Sequence, residues 1–143
     1  MKAKLSTILG AARELHGFCV KEWDCITSYR LSMLLDALSP HLKAHEKARA
    51  KLLSEYADKD ESGKVLFIKD ANGKETPEVS ISQRNRIEFN DELISFEDGV
   101  EIDILLEPIK IKVKKDFGIK PIEIHNLKHF ISFETIEEDN VAK

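Results

Sequence analysis

A seven-residue apolar repeat that turns polar in its middle constrains this chain more than any other feature. Leu31, Leu35, Leu38, Leu42, His45, Arg49, Leu52 and Tyr56 follow one another at alternating spacings of four and three. Such a seam belongs to one long helix packed lengthwise against another. Polar groups in a buried seam set register, partner choice or ligand contact, and His45 and Arg49 are the two that do so here. Ala37, Ala44 and Ala48 run beside the leucines and permit close approach. The helix is read from about Ser28 to Tyr56, with Thr27 as its N-cap. Ser39-Pro40 puts a kink or brief restart in it, because proline removes one hydrogen bond while the leucines keep their phase. The stripe exceeds what one small domain needs for a single partner helix. The eight seam residues are therefore the expected interface of a homo-oligomer; cover by the first and third helices of the same chain is the alternative.

Around this helix the patterning gives an α+β fold. Leu5, Ile8, Leu9, Ala12, Leu15 and Cys19 mark a first amphipathic helix over residues 5–20. Asn72-Gly73, between Val65–Ile68 and Glu78–Ile81, signals a protruding hairpin with a type I′ turn. Pro77 makes its second arm an edge. Ser80 and Gln83 can form a capping box for a third helix over about 82–97, with Ile87, Phe89, Leu93, Ile94 and Phe96 on its apolar side and Gly99 ending it. Val100–Ile104 and Ile109–Val113 alternate as strands, with Glu101 and Asp103 on one and Lys110, Lys112 and Lys114 on the other. Pairing across Pro108 makes a small antiparallel sheet in the C-terminal third, acid facing base. Residues 122–133 fit another strand or a short helix, and a short helix from about His125 to Ile131 is favoured. Residues 1–133 read as one domain and 134–143 as an acidic flexible tail, with no internal repeat.

Composition excludes some functions. The formal net charge of −4 argues against broad DNA binding. No segment reaches the length of a membrane span or has a signal peptide's apolar core, so the expected location is the cytoplasm. Cys19 and Cys25, six residues apart, fit no zinc or redox pattern and read as reduced thiols. His41-x-x-x-His45 and His125-x-x-x-His129 have a metal-sharing spacing but lack a completing shell, so no metal or cofactor is assigned. The one candidate ligand site is the start of the long helix. Its free N–H groups attract anions, Arg30 can add a bidentate contact and Tyr29 can stack on a base. The plainer reading of Thr27, Tyr29 and Arg30 is a cap, an anchor and a solvated arginine.

Several segments together carry a resemblance. They are Thr27-Ser28-Tyr29-Arg30-Leu31 with Leu34-Leu35, then Leu38-Ser39-Pro40-His41-Leu42, then Ala48-Arg49-Ala50-Lys51-Leu52 ending in Glu55-Tyr56. Phe89-Asn90-Asp91-Glu92-Leu93 and Val100-Glu101-Ile102-Asp103-Ile104 complete the set. The chain resembles a group of small bacteriophage and prophage proteins with the same order of helix, long helix, variable loop, helix and strand. The resemblance implies a viral accessory or assembly role in the host cytoplasm and assigns no functional residue.

The expectation is a non-enzymatic protein that self-associates and binds a phage or host protein. The runner-up is a small-ligand binder that sequesters an anionic nucleotide signal of host defence. An enzyme ranks third.

Overall fold

The computed structural model describes residues 1–136. The elements run β1 (Lys2–Lys4), α1 (Leu5–Cys19), α2 (Cys25–Tyr56), β2 (Phe67–Lys69), β3 (Glu75–Val79), α3 (Gln83–Gly99), β4 (Glu101–Asp103), β5 (Ile109–Lys114), α4 (Pro121–Leu127) and β6 (Ile131–Ile136). The fold is α+β, with the three expected main helices and a short fourth. Within the span read as one domain, contacts separate two compact units. One is Met1–Leu42 with the chain from Val100 onward; the other is Lys43–Gly99. Helix α2 contributes its first part to one and its last part to the other. The first three residues of the expected tail, Glu134, Thr135 and Ile136, belong to β6; the rest of it lies outside the described residues.

The first unit is built on α1, whose residues Ile8, Ala11, Leu15 and Phe18 are fully enclosed. Leu31, Leu34 and Leu38 of α2 pack into the same core, with Ile111 of β5, Leu127 and Phe130 around α4, and Ile131 of β6. Each large side chain so buried is worth roughly 1.5–3 kcal/mol. An aromatic file reinforces the centre: Phe117 meets Trp23 at 4.9 Å between centroids, Trp23 meets Phe18 at 4.9 Å, and Phe18 meets Phe133 at 5.5 Å.

The strands pair differently from the expectation. β4 pairs antiparallel with β1, matching Lys2 to Asp103, Ala3 to Ile102 and Lys4 to Glu101. The acidic face of β4 thus does meet lysines, but those of the N-terminal strand. β5 pairs in parallel with β6, Ile109 opposite Ile131 through Lys114 opposite Ile136. Parallel strands need a long crossover, and α4 supplies it. This helix occupies Pro121–Leu127, so the segment read as helix to Ile131 is helix first and strand afterwards.

Helix α2 also corrects its expected details. It starts at Cys25, and Asp24 rather than Thr27 caps it: Asp24 Oδ1 accepts the Thr27 N–H at 3.2 Å. It continues unbroken through Pro40, and the Ser39 hydroxyl donates back to the Leu35 carbonyl at 2.8 Å instead of capping a restart. The seam is closed by the chain itself. Leu31 and Leu38 are fully buried, and Leu35 and Leu42 are half-buried against the same core.

In the second unit, the end of α2 is paired with α3, and between them lies a β meander. The Ser82 side chain, not that of Ser80, caps α3 by accepting the Asn85 N–H at 3.3 Å. Gly99 closes the helix without a left-handed conformation; only Gly63 and Gly73 have positive φ among the described residues. The Asn72-Gly73 signal finds the hairpin β2–β3, but its turn is longer than expected, since Asn72 is not left-handed. The Gly73 N–H donates to the Asp70 carbonyl at 3.0 Å, the Asp70 N–H to the Lys74 carbonyl at 2.8 Å, and Asp70 Oδ1 accepts from the N–H groups of Asn72 and Lys74. This is the three-residue turn with a left-handed glycine. It has a twin. Asp60, Ser62, Gly63 and Lys64 repeat every one of these bonds, with Gly63 at φ 84°. The Lys-Asp-x-x-Gly-Lys pattern at Lys59 and Lys69 is a short internal repeat that the periodicity reading passes over. The meander closes at its base through three bonds: the Asp58 N–H to the Ser80 carbonyl, Leu66 N–H to Asp58, and Ser80 N–H to Leu66.

Burial along the seam separates two substitutions. Leu38→Ala leaves a cavity in a closed core and should cost about 2–5 kcal/mol, whereas half-buried Leu42→Ala should cost clearly less. Urea titration of the two variants checks the order, and equal losses would contradict it.

Candidate functional site

The eight seam residues divide into two environments. The four leucines through Leu42 serve the core of the first unit. From His45 onward, the seam meets α3 in antiparallel fashion. His45 Nε2 donates to Glu97 Oε1 at 2.8 Å, and its ring stacks on Phe96 with an interplanar angle of 8°. The Arg49 guanidinium lies 5.7 Å from the Phe89 ring centre. The Tyr56 hydroxyl donates to Glu92 Oε2, and Asn85 Nδ2 donates to the Tyr56 carbonyl at 3.1 Å. Leu52 is half-buried between these contacts. These contacts align α3 with the end of α2; His45 and Tyr56 are half-buried, but Arg49, expected as a buried polar group, is exposed.

Thr27, Tyr29 and Arg30 are not brought together as an anion site at a helix start. The Thr27 N–H is taken by the Asp24 carboxylate, which adds negative charge where an anion would sit. Tyr29 is 65% exposed. Arg30 leaves the helix start and enters two adjoining grooves between α2 and β5, of about 510 and 490 Å³. Both are also lined by Lys110. Tyr29, Met33, Leu106 and Pro108 form the apolar side of the first; Trp23, Thr27 and Lys112 contribute to the second. Glu107 stands in the first, and Glu22 and Asp24 in the second. Among the described residues, no ion pair engages Arg30, Lys110 or Lys112. The Lys-x-Lys alternation of β5, read in sequence as the basic face of a strand pair, supplies part of this site.

The histidine pairs go to separate tasks. His45 is bound to Glu97, and His129 Nε2 donates to the Lys2 carbonyl at 2.8 Å. His125 and His129 share a groove with Ser6, Thr7 and Asn126. Among the described residues, no group of three or more His, Cys, Asp or Glu could hold a metal. The buried carboxylate of Glu123, 6% exposed, serves structure: it accepts the Lys120 N–H at 3.1 Å and pairs with Lys21 at 3.6 Å. Burial pushes the Cys19 thiol up, which keeps it protonated and a poor nucleophile. Among the described residues, no helix is long and apolar enough to cross a membrane. No protein-family model, curated protein or solved structure matches this chain.

The Tyr56–Glu92 contact has a measurable signature. The hydrogen bond to the Glu92 carboxylate, helped by partial desolvation and the charges of Glu92, Glu88 and Glu55, pushes the phenol from 10.0 up to about 12. A raised acid favours the protonated donor, so its stabilisation is complete below the unfolded value and is lost as pH rises through about 12. In a Tyr29→Phe background, ultraviolet titration should show Tyr56 ionising near 12. Glu92→Gln should bring the midpoint back toward 10, and no change would show that the contact is not made in solution.

Proposed function

We propose that this chain is a non-enzymatic accessory or assembly protein that works by self-association and protein binding, of the kind its sequence resembles in bacteriophages and prophages. One observation carries the reading. Among the described residues of Lys43–Gly99, only Ala57 and Phe89 are fully buried hydrophobics, while Leu66, Phe67, Ile68, Ile87 and Ile94 are exposed. A unit with so little enclosed surface gains stability by covering it with another chain.

The site of self-association moves with this observation. The seam leucines of α2 through Leu42 pack within the chain, which supports placing the interface on the outer side of α3 instead. Ile87 and Ile94 lie seven residues apart there, on one face, each 56% exposed, and away from buried Phe89. The small-ligand alternative keeps Tyr29 and Arg30 in a groove but loses the helix start, whose Thr27 N–H is satisfied by Asp24.

Light scattering coupled to gel filtration tests the proposal. The wild-type protein should run above the 16.3 kDa of one chain at tens of micromolar. Ile87→Asp with Ile94→Asp should return it to one chain with helical circular dichroism unchanged. A wild-type protein that stays at 16.3 kDa overturns the self-association.

A further inference from the structure

The outer edge of β5 is open among the described residues, an observation independent of the self-association proposed for α3. In an extended strand, a residue sends its N–H and C=O to the same side, and successive residues alternate. The Ile109 N–H donates to the Phe130 carbonyl at 2.8 Å, on the β6 side. Ile109, Ile111 and Val113 therefore serve the ladder with β6, and Lys110 and Lys112 turn their backbone groups outward. Among the described residues, no strand pairs on that side, and no backbone group reaches those of Lys110 or Lys112. Two donors and two acceptors stand bare at strand spacing.

What lies beside this edge specifies the partner. The grooves between β5 and the first turns of α2 place Arg30, Lys110 and Lys112 along it, none of them in an ion pair among the described residues, with Tyr29 and Met33 as an apolar wall and with Glu107, Glu22 and Asp24 also lining the grooves. Leu105, 93% exposed, stands just before the strand. Lysines on an edge normally discourage pairing. They do so by like charge, which bars a second β5, itself Ile-Lys-Ile-Lys-Val-Lys, and leaves acidic strands welcome. A nucleotide phosphate would use the cations and the N–H groups but leave both carbonyls unpaired; a peptide backbone uses all four groups.

We propose that the outer edge of β5 takes an extended acidic peptide segment as a third strand. Its main chain bonds to Lys110 and Lys112, its carboxylates face Arg30 and the two lysines, and an apolar side chain rests on Tyr29 and Met33. This is recognition by strand addition, in which backbone bonds give affinity and the flanking side chains give choice.

Fluorescence anisotropy on the full chain tests it, with a labelled peptide alternating Glu or Asp with Val or Ile. The acidic peptide should bind and its Lys-for-Glu counterpart should not. Rising salt should weaken binding, since the exposed charges are screened. Arg30→Ala and Lys112→Glu should each weaken it by about tenfold or more, with the melting curve unchanged. N-methylation of alternate peptide nitrogens, which keeps every charge, should abolish binding, and bound peptide should slow amide exchange at Lys110 and Lys112. Equal binding of the methylated peptide would overturn strand addition. So would the absence of peptide binding, including the case in which only ATP binds.

Discussion

Everything in the first unit is arranged to cover one stripe. Ile8, Ala11, Leu15 and Phe18 leave α1 on a single side and are wholly enclosed. Covering that stripe requires the leucines of α2 on one flank and the residues around α4 and β6 on another. The second requirement dictates the rest of the C-terminal third. To bring Leu127, Phe130 and Ile131 inward, the chain crosses over after β5 and returns beside it in parallel. The return leaves β6 on one side of β5 and, among the described residues, no strand on the other. The bare edge is thus a by-product of how the core is filled, and its lysines keep it soluble.

The long helix does two unlike jobs with one repeat. Its first half presents leucines to a closed core. Its second half keeps the spacing but exchanges leucine for His45, Arg49 and Tyr56, each matched to a named group on α3. Leucines pack against many apolar surfaces, whereas the His45–Glu97 pair accepts one alignment. Polar substitution in the seam buys register where burial is thin.

Helices were legible in the sequence because their period is printed in every turn: α1, the end of α2 and most of α3 lie where the spacing puts them. Their starts were less so, since Asp24, Thr27, Ser80 and Ser82 all have capping chemistry and only the folded backbone chooses among them. The short strands could not be read. Three residues, Lys2–Lys4, carry no period, and their partner β4 lies near the other end of the chain. Pro108 between two alternating runs imitates a hairpin, and the acid-base match that supported it is met by Lys2 and Lys4 instead. Arg30 was visible as a candidate, but its companions Lys110 and Lys112 become so only when α2 and β5 flank one groove. The repeated Lys-Asp-x-x-Gly-Lys was readable and needed only a search for turns rather than for helices and strands.

The base of the meander has a consequence for how this chain can change. Asp58, Leu66 and Ser80 hold one another through three backbone bonds, and the Ser80 hydroxyl also donates to Asp58 Oδ2 at 2.9 Å, so the points where the chain enters and leaves the insertion are clasped. Both glycine turns sit beyond that clasp, and the strand between them, Phe67–Lys69, is exposed. The two turns are therefore exchangeable. Either can be rewritten or lengthened while Asp58, Leu66 and Ser80 keep the base clasped, which gives a single scaffold a way to change what it displays without relearning how to fold.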